Sequence, residues 1–170
     1  MNNYQTYYTS PVGELLIKCT DEAITAILFM DTDKSSRQES TQNTAQAAYP
    51  EVMQRCIQQL DEYFAGSRKE FDLPLMQEGT AFQQSVWKAL CDIPFGQTIS
   101  YLALARRIGN EKSIRAVGTT NGKNQISIVI PCHRVIGANG NLTGYGGGLW
   151  RKSWLLEHEQ RIAHGVQTLF

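Results

Sequence analysis

The hydrophobic pattern of this chain changes period part-way along, and that change constrains the fold more than any other feature. Residues Tyr4–Tyr8, Glu14–Cys19 and Ala23–Phe29 are rich in β-branched and aromatic types, with turn residues at Pro11-Val12-Gly13 and Thr20-Asp21-Glu22 between them. Such runs predict a small antiparallel meander. Asp31–Ala48 is polar and lacks an aromatic residue, and it reads as an exposed loop or frayed helix. From Glu51 to Phe64 the apolar residues fall at Val52, Met53, Cys56, Ile57, Leu60, Tyr63 and Phe64, a helical stripe that Gly66 stops. Asp72-Leu73-Pro74-Leu75 reads as an edge strand or linker, and a boundary is expected near residues 75–79. The expected organisation is an α/β N-terminal domain over 1–76 and a mostly helical C-terminal domain over 79–170.

The second half is built of short helices with recognisable ends. Thr80 can cap a helix to about Cys91, with Phe82, Val86, Trp87 and Leu90 on one face. Ile93-Pro94-Phe95-Gly96-Gln97-Thr98 is turn chemistry. Ser100 then caps Tyr101–Ile108, which Gly109-Asn110 stops, and Ser113 starts Ile114–Thr120, which Asn121-Gly122 ends. Two short helices joined by a tight glycine-containing turn predict a helix-turn-helix. A last helix is expected over Trp150–Arg161, with Trp150, Trp154, Leu155 and His158 as its apolar stripe.

Charge supports a polyanionic partner for this half. From Tyr101 to Lys152 there are eight basic residues (Arg106, Arg107, Lys112, Arg115, Lys123, Arg134, Arg151 and Lys152) against the single acid Glu111, whereas residues 1–100 carry seven basic and thirteen acidic side chains. After Arg115 the run Ala116-Val117-Gly118-Thr119-Thr120-Asn121-Gly122 is nearly all small. Major-groove readers usually present long polar side chains, whereas small residues allow close backbone approach, as in a shallow fit to the minor groove. Close helix–helix packing inside the protein would use the same residues.

The chemistry centres on Pro131-Cys132-His133-Arg134-Val135, which follows the apolar run Ile126–Ile130, read as a buried strand. A thiol is a good nucleophile as thiolate, and a neighbouring base or cation favours that form. Adjacent residues of an extended strand point to opposite faces, so Cys132 and His133 need a turn or a bridging water to communicate. A histidine base also needs an acceptor on its other nitrogen. Glu157 and Glu159 of the last helix are both candidates, and spacing alone does not choose between them.

Other constraints come from the totals. The hydrophobic share of 42% and charged share of 19% are those of a globular protein without a spanning segment. Met1-Asn2-Asn3-Tyr4-Gln5-Thr6 has no basic segment leading into an apolar one, so the expected location is the cytoplasm. Cys19, Cys56, Cys91 and Cys132 are irregularly spaced, and His133, His158 and His164 crowd the last quarter, so no metal site is expected. Cys19, Cys56 and Cys91 are read as small packing residues. No cofactor motif is present, neither a phosphate-binding glycine loop nor a dinucleotide fingerprint.

Pro131-Cys132-His133-Arg134-Val135 resembles the signature of the O6-alkylguanine-DNA alkyltransferases, also called methylated-DNA–protein-cysteine methyltransferases. The resemblance extends over about residues 79–160. It takes in Ser100-Tyr101, Arg115-Ala116-Val117-Gly118, Asn121-Gly122-Lys123-Asn124, Thr143-Gly144-Tyr145-Gly146-Gly147 and Lys152-Ser153-Trp154-Leu155-Leu156-Glu157-His158-Glu159. It implies a ribonuclease H-like N-terminal domain, a single-use alkyl transfer to Cys132, and a monomer acting on double-stranded DNA through the minor groove. A relay of Glu159, His133 and an ordered water would activate the thiol, with Asn124 as the hinge asparagine and Tyr101 supporting proton delivery to guanine N3. The target nucleotide would be rotated out of the stack, with Arg115 filling the vacancy. Ala116, Gly118, Thr119 and Thr120 would meet the DNA. Val135, Tyr145, Gly146 and Lys152 would form the guanine pocket, Lys152 at its rim and the backbone carbonyls of Cys132 and Val135 accepting from the exocyclic amine. Gln125 and Ser127 stand where some members carry prolines, and Thr119-Thr120 is bulkier than is common there. The resemblance leaves the adduct size and any action on O4-alkylthymine open.

Two other readings compete. A non-catalytic helix-turn-helix regulator would need long base-reading side chains. A cysteine hydrolase using Cys132 and His133 would usually draw its base from a distant part of the sequence.

Overall fold

The computed structural model describes residues 2–31 and 49–165. Apart from Asp31, the segment read as loop or frayed helix lies outside the described residues. The chain divides into two compact units, Met1–Gln77 and Glu78–Phe170. Among the described residues no helix is long and apolar enough to cross a membrane.

Among the described residues, the first unit is a three-stranded antiparallel sheet with one helix. Strands β1 (Asn3–Ser10), β2 (Gly13–Thr20) and β3 (Ile24–Phe29) are ordered β1-β2-β3, with Tyr8 opposite Leu15 and Leu15 opposite Phe29. Strand β2 is central, and Leu15, Leu16 and Ile17 are buried in succession because both of its faces are covered. Helix α1 (Glu51–Ala65) buries Val52, Met53, Cys56, Gln59, Leu60 and Tyr63, one side of the stripe read from the sequence. Each large apolar side chain fully buried this way contributes about 1.5–3 kcal/mol. Gly66 ends the helix at φ 87°, its N–H directed to the carbonyls of Glu62 and Tyr63. The expected edge strand around Leu75 is a single parallel bridge to Ile24, made by Ile24 N–H to Pro74 O and Met76 N–H to Ile24 O, each 2.9 Å. Pro74 has no N–H to extend it.

Among the described residues, the second unit holds four α-helices and a two-stranded parallel sheet. Helix α2 (Ala81–Cys91) begins with a complete capping box: Thr80 accepts from Gln83 N–H at 3.2 Å, and the Gln83 side chain accepts from Thr80 N–H at 3.0 Å. Strand β4 (Ile99–Ser100) runs into α3 (Tyr101–Arg107), which the Ser100 hydroxyl caps by accepting from Ala103 N–H. A 3₁₀ turn, Glu111–Ser113, leads into α4 (Ile114–Gly122). Here α4 runs through Asn121 and Gly122 instead of stopping before them. A second 3₁₀ turn spans Cys132–Arg134, followed by β5 (Val135–Ile136), parallel to β4, and by α5 (Leu149–His164).

Ile126–Ile130 is buried but is not a strand. Asn124 explains why. Its Oδ1 accepts from Ile126 N–H at 3.1 Å, and its Nδ2 donates to the carbonyls of Ile126 (3.3 Å) and Ile130 (2.9 Å). A side-chain amide thus replaces a neighbouring strand, and the segment folds back on itself through Ile130 N–H to Ile126 O at 3.0 Å. Ile128 lies at φ 72°, a left-handed conformation that is costly for a β-branched residue.

Candidate active site

The thiol stands at the start of the 3₁₀ turn. Cys132 is 4% exposed, and its sulfur accepts from Asn124 Nδ2 at 3.2 Å. Successive side chains on such a turn diverge by about 120°, so Cys132 and His133 project in different directions. His133 Nε2 lies 2.7 Å from Glu159 Oε2, with the two side chains 0% and 1% exposed. His133 Nδ1 is buried and has no partner among the described residues. Glu159 also accepts from Arg134 Nε at 2.7 Å and Nη2 at 3.1 Å, while Arg134 Nη1 donates to Ile93 O at 2.7 Å.

The inward face of α5 decides between the two glutamates. Arg151, Lys152, Leu155, His158 and Glu159 are buried and Glu157 is exposed. The apolar stripe read from the sequence is displaced accordingly: Trp150 is 55% exposed, with the Arg151 guanidinium over its ring.

Ionisation within the site follows from burial and partners. Burial pushes the Cys132 thiol up, against hydrogen bonds from Asn124 and Tyr145 and the charge of Lys152. The resting side chain is therefore a protonated thiol that needs a base. Burial alone would raise the Glu159 pKa, but His133 and Arg134 outweigh it and hold the carboxyl well below the usual carboxylate range. Burial lowers the Lys152 pKa.

Other residues singled out in the sequence fall as follows. The Tyr101 hydroxyl accepts from Thr143 Oγ1 at 3.0 Å. Lys152 is fully buried, not at a rim, and donates to Thr143 O at 3.1 Å. Tyr145 is half-buried beside the Cys132 thiol, Val135 is buried, and Gly146 is exposed. On α4, Arg115, Ala116 and Thr119 are exposed and Gly118 is half-buried, but Thr120 is buried, its carbonyl accepting from Trp87 Nε1 at 3.1 Å. Thr120 is therefore corrected from a surface contact to a packing residue. Arg134, Arg151 and Lys152 are buried, so the basic face of 101–152 reduces to Arg106, Arg107, Lys112, Arg115 and Lys123. Cys19 and Cys56 are buried as expected of packing residues, whereas Cys91 is exposed.

Sequence reasoning missed Arg134, Asn121 and Gly96. Arg134 reads from the sequence as one of the charges of the basic half, yet it is buried against Glu159. Asn121 Nδ2 donates to Cys132 O at 3.3 Å. Gly96 N–H lies 3.4 Å from Glu159 Oε1, and a Cβ on Gly96 would meet Ala163 Cβ at 2.4 Å.

The chain has counterparts among known proteins. Residues 3–77 match the family model described as 6-O-methylguanine DNA methyltransferase, ribonuclease-like domain, and residues 81–161 match its DNA binding domain. The chain is 44% identical over 162 residues to the constitutive methylated-DNA–protein-cysteine methyltransferase of Bacillus subtilis (strain 168), covering 95% of this chain and 98% of the relative. The crystal structure of the O6-methylguanine methyltransferase of Mycobacterium tuberculosis superposes with a TM-score of 0.79 at 42% identity over 99% of both chains. That of Mycobacterium tuberculosis OGT in complex with DNA gives 0.78 at 42% identity over 92% of both. The chain belongs to the methylated-DNA–protein-cysteine methyltransferase family, and its architecture is that family's ribonuclease-like domain followed by a DNA-binding domain.

Proposed function

We propose that Cys132 is the acceptor in direct-reversal repair, taking the alkyl group from O6-alkylguanine in duplex DNA. His133 removes the Sγ proton through a water at Nδ1, while Glu159 fixes the imidazole through Nε2 and supports the positive charge that forms. The sulfur attacks the alkyl carbon in line, the carbon–oxygen bond breaks, and its electron pair passes to the purine. Tyr101 supports proton delivery to N3. Guanine and S-alkylcysteine result. A thioether offers no acyl centre to hydrolyse, so each molecule acts once. The observation that carries this reading is the solvent-sealed Glu159–His133 pair adjoining a buried thiol.

A base in the duplex cannot reach a thiol that is 4% exposed, so the nucleotide must leave the stack. Exposed Arg115 on α4 is the candidate to occupy the gap, with Ala116, Gly118 and Thr119 against the minor groove and Lys123 near the phosphates. Tyr145, Val135, Gly146 and the Cys132 and Val135 carbonyls form the guanine pocket. Residues 1–76 are read as the ribonuclease H-like domain, and 79–170 as the part that binds DNA and carries the acceptor. The protein acts as a monomer in the cytoplasm, without a cofactor. A regulator built on α4 is disfavoured by its small outward side chains.

The test is repair of a duplex carrying one O6-methylguanine, compared with transfer from the free O6-methylguanine base. Cys132→Ser is expected to abolish both. Arg115→Ala is expected to slow the duplex reaction far more than the free-base one. Equal slowing of both would contradict a flipping role, and unrepaired DNA with the unaltered protein would contradict the reading itself.

A further inference from the structure

Asn121 stands in the last turn of α4, 4% exposed, with its amide turned toward the thiol-bearing turn. Its Nδ2 donates to Cys132 O at 3.3 Å, and its Oδ1 is buried with no hydrogen-bond partner among the described residues. Turning the amide over would set an oxygen against the Cys132 carbonyl, so the contact itself fixes its orientation. A buried acceptor left unpaired costs stability, whereas an apolar side chain of similar size at the same place costs little or nothing. The amide is therefore unfavourable for folding at this position, and what it touches is the backbone of Cys132.

The contact belongs to a wider arrangement. The Cys132 carbonyl receives two donors from within the protein, Asn121 Nδ2 and Val135 N–H. Asn124, three residues beyond Asn121, donates to the sulfur of the same residue at 3.2 Å. The exit of α4 thus supplies one amide to the carbonyl of Cys132 and another to its thiol. Next to Asn121, the carbonyl of Thr120 is held by Trp87 Nε1 of α2 at 3.1 Å, which anchors this end of the helix.

We propose that Asn121 is a positioning residue for alkyl transfer, holding the Cys132 carbonyl to α4 at the expense of folding stability. It touches neither base nor alkyl group. It acts by keeping the thiol in register with the helix proposed to dock on DNA, and the inference rests on Cys132 being the acceptor. Because the contact sets the nucleophile and not the groove fit, it matters equally for duplex and free base, unlike Arg115.

The experiment measures single-turnover transfer from an O6-methylguanine duplex and from the free O6-methylguanine base, together with urea midpoints, for the unaltered protein, Asn121→Leu and Asn121→Ala. Both variants are expected to slow transfer roughly tenfold or more on both substrates. The Asn121→Leu midpoint is expected at or above that of the unaltered protein. Transfer by Asn121→Leu within twofold of the unaltered rate would overturn the proposal. So would slowing confined to the duplex, or an Asn121→Leu protein that is unfolded or has a lowered midpoint. Absence of transfer by the unaltered protein on either substrate would instead count against Cys132 as acceptor.

Discussion

His133 Nε2 and Glu159 Oε2 are 2.7 Å apart, and Arg134 donates to both oxygens of the same carboxylate, Nε to Oε1 at 2.7 Å and Nη2 to Oε2 at 3.1 Å. One buried anion therefore serves two neighbours in the chain, orienting the imidazole while compensating a buried guanidinium. The two jobs can be separated experimentally.

Glu159→Gln keeps an acceptor near His133 but removes the charge, leaving Arg134 buried and uncompensated. Breaking one side of a buried pair costs about 3–5 kcal/mol, so the urea midpoint should fall markedly and transfer to Cys132 should slow. A variant with the unaltered midpoint would show that Arg134 does not depend on Glu159.

The same carboxylate sets an acid limit. Its folded pKa lies below the unfolded value, so its ionisation stabilises the fold fully above about pH 4.3, the ordinary glutamate value. That contribution drains away as pH falls below this value toward the folded one. Urea midpoints of the unaltered protein should therefore drop more steeply than those of Glu159→Gln between about pH 5 and pH 3. Parallel curves would refute the assignment.

Burial sorts the cations of the second unit into two kinds. Lys123 is exposed, whereas Lys152 is fully buried and donates to Thr143 O. Lys123→Gln should weaken DNA binding and reduce the slope of log affinity against log salt by about 0.9, the value of one phosphate contact. Lys152→Met should leave that slope unchanged. A reduced slope for Lys152→Met would mean that its charge reaches the backbone of DNA.

Gly96 should not tolerate a side chain. It lies at φ 78°, and a Cβ would come within 2.4 Å of Ala163 Cβ on α5. Gly96→Ala combines a left-handed conformation costing about 1–3 kcal/mol with displacement of the helix that carries Glu159. Its melting temperature should fall and transfer should slow, whereas Gly140→Ala, at φ 76° with open space around its Cβ, should lose stability with little effect on transfer.

The sequence carried the local rules of this fold further than the geometry of its site. The strand runs before residue 30, the α1 stripe and the Thr80 cap depend on near neighbours, and they stand in the structure where the pattern puts them. Ile126–Ile130 misled because an apolar run is buried equally well in a strand or in a loop, and the deciding partner is a single amide on Asn124. Arg151 and Lys152 read as surface charge because their acceptors are carbonyls of Gly147 and Thr143, presented by a loop whose path no pattern reveals. Choosing Glu159 over Glu157 required the family resemblance, since spacing left both open. Asn121 showed in the sequence as a helix-ending residue and as part of the family motif, but not as a partner of Cys132, because that contact is to a backbone carbonyl eleven residues away.

The central claim, that Cys132 takes up the alkyl group, is tested most directly by the mass of the intact protein after incubation with duplex DNA carrying O6-methylguanine. The expected result is a gain of one methyl group per molecule, mapped to the peptide containing Cys132 and missing from Cys132→Ala. Repair with an unchanged protein mass, or a methyl group carried by Cys91 or any other residue, would contradict it.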